Sequence, residues 1–174
     1  DNWVMQTETI TIEGTVNQQY STEFPNPSKE RYSYLQGEKR IQFINGMAAN
    51  DPVSTLQIWK FIIDRYPAEG GTCVFFNSRD DRPFRTRQLI ELTLEEIKPD
   101  YFIIRGDKID AIVQRLIHYS PGTNVQIIGL SNDHNQVVDK LLSLPHDTLI
   151  YAIGNQVGAG QEILTKLSDY RHHG

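Results

Sequence analysis

From Lys39 onward the chain alternates short apolar runs with segments of helical periodicity, and this alternation restricts the folds open to it. The runs Ile41–Ile44, Thr72–Asn77, Tyr101–Arg105, Val125–Gly129 and Thr148–Ile153 read as strands. They are almost continuously apolar, as strands are when helices cover both faces. Helices are predicted over Pro52–Asp64, Pro83–Ile97, Lys108–Tyr119, Asn135–Leu144 and Ala159–Tyr170, punctuated by Pro67, Gly70-Gly71, Pro99, Pro121-Gly122 and Pro145. In the first helix Asp51 is a good N-cap. Pro52 suits the first helical position because its missing N–H has no partner there. Leu56, Trp59, Ile62 and Ile63 follow at helical spacing.

Five strands alternating with five helices predict an α/β chain with right-handed crossovers. The expected fold is a Rossmann-like, doubly wound, mainly parallel sheet of about five or six strands with helices on both faces. Residues 1–37 read differently. Glu8–Glu13 is expected as an edge strand, with Thr15–Tyr20 as a hairpin partner. Ser21–Gly37, which carries Pro25 and Pro27, is expected to be a linker or ordered arm, because proline disfavours regular structure. The expected division is therefore an N-terminal strand, arm and linker over 1–37 and one domain over 38–174.

Composition removes several classes of function. A formal net charge of -5 speaks against nucleic acid as a partner, which wants a basic face. The single cysteine, Cys73, allows neither an internal disulfide nor a cysteine-based metal site, and fits a reducing compartment. No apolar run is long enough to span a membrane, and no signal-peptide pattern opens the chain, so direct membrane insertion is not expected. The expected location is the cytoplasm, with any attachment to a membrane made through partners. There is no GxxxxGK[ST] loop, no HExxH and no GxSxG in the sequence. Neither a catalytic set nor a bound metal is expected from this chain.

In a doubly wound sheet, ligands bind beyond the carboxyl ends of the strands. Attention therefore falls on the loops at Asn45–Asp51, Asn77–Arg82, Arg105–Asp107, Ser131–Asp133 and Gly154–Gly158. The first places small residues beside a helix N-terminus, where Asn45, Asn50, Asp51, Ser54 and Thr55 can contact a ligand; capping alone also accounts for Asp51. The second is the sharpest feature: Arg79, Arg82, Arg85 and Arg87 fall within nine residues of an acidic chain. Arginine grips planar carboxylates and phosphates with two parallel hydrogen bonds. The same loop holds Asn77, Asp81 and Thr86, and a solvated helix start laced with ion pairs is the competing reading. The third loop, with Gly154, Asn155 and Gly158, is not a GxGxxG fingerprint. Its glycines serve either close packing or ligand approach.

Three segments in order resemble one known family. FINGMAANDPVSTLQIWK (Phe43–Lys60) resembles the first strand–loop–helix of the C-terminal domain of the Mur ligase superfamily. FFNSRDDRPFRTRQ (Phe75–Gln88) is similar to its next strand and arginine-rich loop, and LIYAIGNQVGAGQEIL (Leu149–Leu164) to its last strand–loop–helix. The resemblance is closest to the capsule-forming branch, the poly-γ-glutamate synthase ligase subunits. Many Mur ligases carry a lysine where this chain has Ala48, and the capsule branch does not. The match runs over roughly Arg40–Tyr170.

That resemblance implies the C-terminal, amino-acid-positioning domain of an ATP-dependent amide ligase. The implied chemistry joins glutamate to a growing polyglutamate chain through an acyl phosphate. ATP and Mg2+ would be held mainly by an ATPase or central ligase domain, with membrane subunits of a synthase complex as further partners. The chain is not expected to be catalytically complete alone, since it lacks a P-loop. The resemblance puts Asn45, Asn50, Asp51, Ser54 and Thr55 on the loop facing nucleotide and acceptor. It puts Arg79, Arg82 and Arg85 where cations meet carboxylates or phosphate, and Gly154, Asn155 and Gly158 on the wall of the acceptor site. The alternative expectation is a stand-alone, non-enzymatic module that binds an anionic metabolite or a protein partner.

Overall fold

The computed structural model describes residues 8–13, 20–26, 29–34, 40–47, 51–79, 81–106, 111–112, 114–116, 126–130 and 134–168. Eight strands form one sheet: β1 (Glu8–Glu13), β2 (Tyr20–Asn26), β3 (Lys29–Tyr34), β4 (Arg40–Asn45), β5 (Thr72–Asn77), β6 (Tyr101–Arg105), β7 (Gln126–Leu130) and β8 (Thr148–Gly154). The named helices are α1 (Pro52–Arg65), α2 (Pro83–Leu92), α3 (His134–Leu142) and α4 (Ala159–Ser168). Residues 111–112 and 114–116 are also helical, inside the helix expected over 108–119. The rest of that helix lies outside the described residues, as do Ser131, Asn132 and Asp133.

The spatial order is β2-β3-β1-β4-β8-β5-β6-β7. Strands β4, β8, β5, β6 and β7 are mutually parallel, which is the α/β architecture expected from the alternation. The last strand, β8, is inserted between β4 and β5. The loops that leave β4, β8 and β5 therefore become neighbours at one edge of the sheet.

Side chains alternate cleanly across the parallel strands. Cys73, Phe75, Ile103, Ile150 and Ala152 point to one face, where they pack with Val137, Val138 and Leu141 of α3 and Ile163 and Leu167 of α4. Val74, Phe76, Phe102, Ile104, Leu149, Tyr151 and Ile153 point to the other, against Ile58, Trp59 and Ile62 of α1 and Leu89 and Ile90 of α2. Strands β4, β5, β6 and β8 are buried on both sides, and this is why the sequence shows apolar runs where a one-sided strand would alternate. In α1, Trp59 and Ile62 are buried while Ile63 is 44% exposed, so the apolar stripe is narrower than the spacing implied.

The N-terminal region departs from expectation. Within Ser21–Gly37 the described residues are extended, and they belong to β2 and β3, which pair antiparallel with each other. The hairpin partner expected at Thr15–Tyr20 falls largely outside the described residues, and β2 begins at Tyr20. Proline is tolerated here for a positional reason. Pro25 lies in the outermost strand of the sheet, between Glu23 and Asn26, where the register shifts. Edge strands and bulges are where a missing N–H costs no ladder bond. Strand β1, expected at an edge, lies inside the sheet because it pairs on both sides: parallel with β3, and antiparallel with β4 from Glu8↔Asn45 to Glu13↔Arg40, which joins this extension to the parallel half.

The helix expected over Pro83–Ile97 ends its regular α-turns at Leu92. It continues through a π-helical turn at Thr93–Ile97, closed by Lys98 N–H donating to Thr93 O at 2.8 Å. Lys98 is left-handed, at φ 52°. Thr93 Oγ1 donates back to Leu89 O at 2.7 Å, a bond of the kind that bends helices.

Gly154 ends β8 with φ 98°, and a Cβ there would run into the backbone oxygen of Asn77. Strain and clash coincide, so Gly154→Ala is expected to cost about 2–4 kcal/mol, read as a loss of denaturant midpoint at unchanged slope.

Candidate functional site

The loop after β4 is held from within. Asn45, 4% exposed, accepts Met47 N–H on its Oδ1 at 3.0 Å, and Gly46 N–H donates to Ala152 O at 2.8 Å. Gly46 lies flat against the Tyr151 ring, leaving no room for a side chain. Asp51 caps α1 by accepting Ser54 N–H at 2.9 Å. Thr55 is fully buried, and its carbonyl takes the Tyr151 hydroxyl at 2.9 Å. Tyr151 also stacks on Trp59, with ring centroids 5.8 Å apart. Burial raises its phenol well above the ordinary range and the charge of Asp51 adds to this, so Tyr151 acts as a neutral donor. Ala48 and Asn50 lie outside the described residues.

The loop after β5 supplies the cations. Arg82 N–H closes a turn onto Arg79 O at 3.2 Å, and Thr86 Oγ1 donates to the same oxygen at 3.3 Å. These bonds aim Arg79, Arg82 and Arg85 into a recess shared with Asn77, Thr86, Gly154 and Asn155, of about 20 Å³. The fourth arginine, Arg87, is directed to the exposed face of α2, where it pairs with Glu91 at 3.0 Å. Seven of the residues singled out in the sequence thus meet in one place. Asn45, Asp51, Ser54, Thr55, Asp81 and Gly158 do not line it; the first four hold the adjacent loop together. Gly158 has φ 73° and open space around its Cα, so its contribution is the shape of the turn into α4.

A second, larger groove of about 290 Å³ adjoins the first. It is lined by Ser78, Arg79, Asp81, Arg105, Asn155, Val157 and Ala159. Arg79 and Asn155 belong to both. Arg105 ends β6 and is only 7% exposed. Its Nε donates to Asn77 Oδ1, and its carbonyl receives Ser78 N–H and Ser78 Oγ, each at 2.9 Å. Asn77 Nδ2 in turn donates to Asn155 O, while Asn155 N–H donates to Asn77 O at 2.9 Å. One buried asparagine therefore locks the ends of β5, β6 and β8 together. The loops Asn77–Arg82 and Arg105–Asp107 were expected at the ligand edge, but neither Ser78 nor Arg105 was named as a contact residue. The available signal was a lone cation ending the apolar run Tyr101-Phe102-Ile103-Ile104, at the ligand edge of the sheet.

Electrostatics join the first two loops. Partial burial pushes the Asp51 carboxyl upward, but the Ser54 amide and hydroxyl and the charge of Arg85 outweigh it. The net position lies below the ordinary 3.8. Arg79 and Asp81 form a two-pronged pair, Nε to Oδ1 at 2.8 Å and Nη2 to Oδ2 at 2.5 Å. The hydrogen bond from Arg79 holds the Asp81 carboxyl below its usual range, and the arginine is correspondingly raised. Cys73 plays no part: burial raises its thiol, and it sits in the core. Among the described residues no three His, Cys, Asp or Glu side chains come together to hold a metal. No described helix is long and apolar enough to cross a membrane.

Comparison with known proteins adds an independent finding. The model of the poly-gamma-glutamate synthase CapB C-terminal domain matches residues 31–170. The chain belongs to that family. It is 31% identical over 134 residues to the PGA synthase CapB of Bacillus subtilis (strain 168), a match covering 74% of this chain and 33% of the relative. It is 27% identical over 148 residues to the capsule biosynthesis protein CapB of Bacillus anthracis, covering 83% of this chain and 32% of the relative. The chain thus corresponds to about a third of the length of these relatives. The CapB C-terminal match begins inside β3 and takes in every loop of the candidate site.

Asp51→Ala is expected to lower stability by about 1 kcal/mol at neutral pH through the lost cap. Because the folded carboxyl titrates below the unfolded one, its ionised contribution is present above the ordinary 3.8 and is lost as pH falls through the folded value. Chemical denaturation of wild type, Asp51→Asn and Asp51→Ala between pH 3 and 7, about the range over which a carboxylate titrates, measures this. The wild-type advantage over Asp51→Asn should shrink on the acid side.

Proposed function

We propose that this chain is the amino-acid-positioning domain of an ATP-dependent acid–amino-acid ligase acting in poly-γ-glutamate synthesis. The observation that carries the reading is the gathering of Arg79, Arg82, Arg85 and Arg105 at the carboxyl ends of β5 and β6, next to the loop that enters α4. Membership of the CapB C-terminal family and the names of the two Bacillus relatives support the substrate class.

Volume decides which recess takes the ligand. About 20 Å³ beside Arg82 and Arg85 holds one water-sized group, such as a single anionic oxygen. About 290 Å³ beside Arg105 approaches the size of ordinary small-molecule sites and can take glutamate or the end of a γ-linked chain. Arg105, fixed by Asn77 and the Ser78 loop, offers a preorganised cation for a carboxylate. Arg79, on the wall between the two volumes, can reach a group in either. The chain's part in the reaction is then orientation. It fixes the carboxylates of the incoming amino acid so that the amine approaches the face of the activated carbonyl, from which phosphate then leaves.

The remaining parts of the reaction belong to the Mur-type arrangement that the sequence resembles. ATP and Mg2+ are assigned to an ATPase or central ligase domain, since this chain has no phosphate-cradling loop and no described metal cluster. Val53, Phe84 and Val157 are 67%, 73% and 75% exposed, and all three lie at the starts of helices or in loops on the ligand edge. Apolar studs around a polar groove suit a protein surface that closes over it and keeps water from a hydrolysable intermediate. Membrane subunits of a synthase complex remain the proposed further partners, reached through the ligase as a whole.

Within a complete synthase, Arg105→Gln and Arg85→Ala are each expected to raise the KM for glutamate or lower kcat by about 10- to 100-fold, the size of one lost charge-assisted hydrogen bond. Steady-state kinetics of purified variants with wild-type melting curves test this, and unchanged kinetic constants would overturn the assignment.

A further inference from the structure

Arg79 is the shared wall of the recess and the groove, yet its guanidinium already holds a carboxylate. Asp81, two residues on, occupies two of its donors in a side-by-side geometry, Nε to Oδ1 at 2.8 Å and Nη2 to Oδ2 at 2.5 Å. This is the arrangement an arginine makes with a bound carboxylate ligand. Asp81 lines the groove of about 290 Å³ and not the smaller recess, so its carboxylate stands at the groove's side of Arg79. The two side chains are 35% and 62% exposed, and an ion pair so placed is weakly held. The arginine's backbone is the fixed partner, because its carbonyl receives both Arg82 N–H and Thr86 Oγ1.

We infer that Asp81 is a built-in stand-in for a ligand carboxylate: it keeps the Arg79 fork formed and oriented, and it yields the fork to an incoming anion. The exchange swaps one two-pronged carboxylate contact for another, so the guanidinium is never stripped of its partner. Entry of an anion therefore does not require breaking a strong bond or building the receptor afresh. The released Asp81 carboxylate turns to solvent or to Arg82, whose charge it already feels. The stand-in also sets a threshold. A ligand must outcompete an internal carboxylate at high effective concentration, and this favours ligands that engage Arg105 or the recess at the same time over simple monoanions. The identity of the natural ligand as glutamate or a γ-glutamyl chain rests on the reading proposed above; the exchange itself does not.

Two titrations of the full chain test this. Calorimetry with L-glutamate on wild type, Asp81→Asn, Arg79→Gln and the double variant should show Asp81→Asn binding about two- to fivefold tighter, the range for releasing one exposed ion pair. That gain should vanish in the Arg79→Gln background. Where glutamate binds the wild type, weaker or equal binding by Asp81→Asn would overturn the inference, because it would make Asp81 a ligand contact or a bystander. The second titration uses inorganic phosphate and follows the Asp81 Cγ and Arg79 Nε–H resonances by NMR. Both should move together in wild type as the pair opens, and stationary resonances at saturating phosphate would overturn the exchange. If phosphate opens the pair and Asp81→Asn tightens phosphate but glutamate binds neither protein, the stand-in holds and the glutamate reading falls.

Discussion

The site depends on one side chain that never needs to touch a ligand. Asn77 is 1% exposed at the end of β5, and both halves of its amide are committed. Its Oδ1 receives Arg105 Nε from β6, and its Nδ2 reaches the Asn155 carbonyl beyond β8. An asparagine can do this because it carries donors and an acceptor on one short planar group. Buried polar groups that satisfy each other in this way rigidify what they join. Three loops that the chain reaches at residues 77, 105 and 155 are thereby held in a fixed mutual position. The arginines of the rim inherit that rigidity.

The same constraint explains why an arginine can be buried at all. Taking a guanidinium from water is costly unless its donors are met. Arg105 sits where a side-chain oxygen and loop backbone converge, at the one edge of the sheet where strand ends leave carbonyls available. Arg79 shows the opposite economy, an exposed cation balanced by a neighbour two residues away. One rim thus combines a firmly held cation with an exchangeable one.

Much of this was legible in the chain itself. The Asp51-Pro52 pair announces the start of α1, and the cap bond is present. Apolar runs such as Thr72–Asn77 announce strands buried on both faces, and that is how they pack. The arginine loop was visible because cations stand out in an acidic chain. Other features were hidden for physical reasons. Pro25 argues against a strand, but an edge position removes the penalty, and edge position is a property of the whole sheet. The insertion of β8 between β4 and β5 is likewise a tertiary fact, with no local signature. Arg105 looked like the polar end of a strand because its environment is made by residues 28 and 50 positions away. The side chains of Asn45 and Ser54 looked available only because a sequence does not show which polar groups are spent inside their own turn, and that of Thr55 because a sequence does not show which are buried.

The antiparallel pairing of β1 with β4 has a directional outcome. Glu8 lies opposite Asn45, so the main chain enters the sheet at the same edge where the arginines gather. The chain leaves through α4, which runs back from that edge after β8. Entrance and exit are therefore polarised across the molecule. Whatever is joined to the first residue of β1 therefore springs from the ligand edge, whereas whatever is joined to the last residue of α4 springs from the opposite edge.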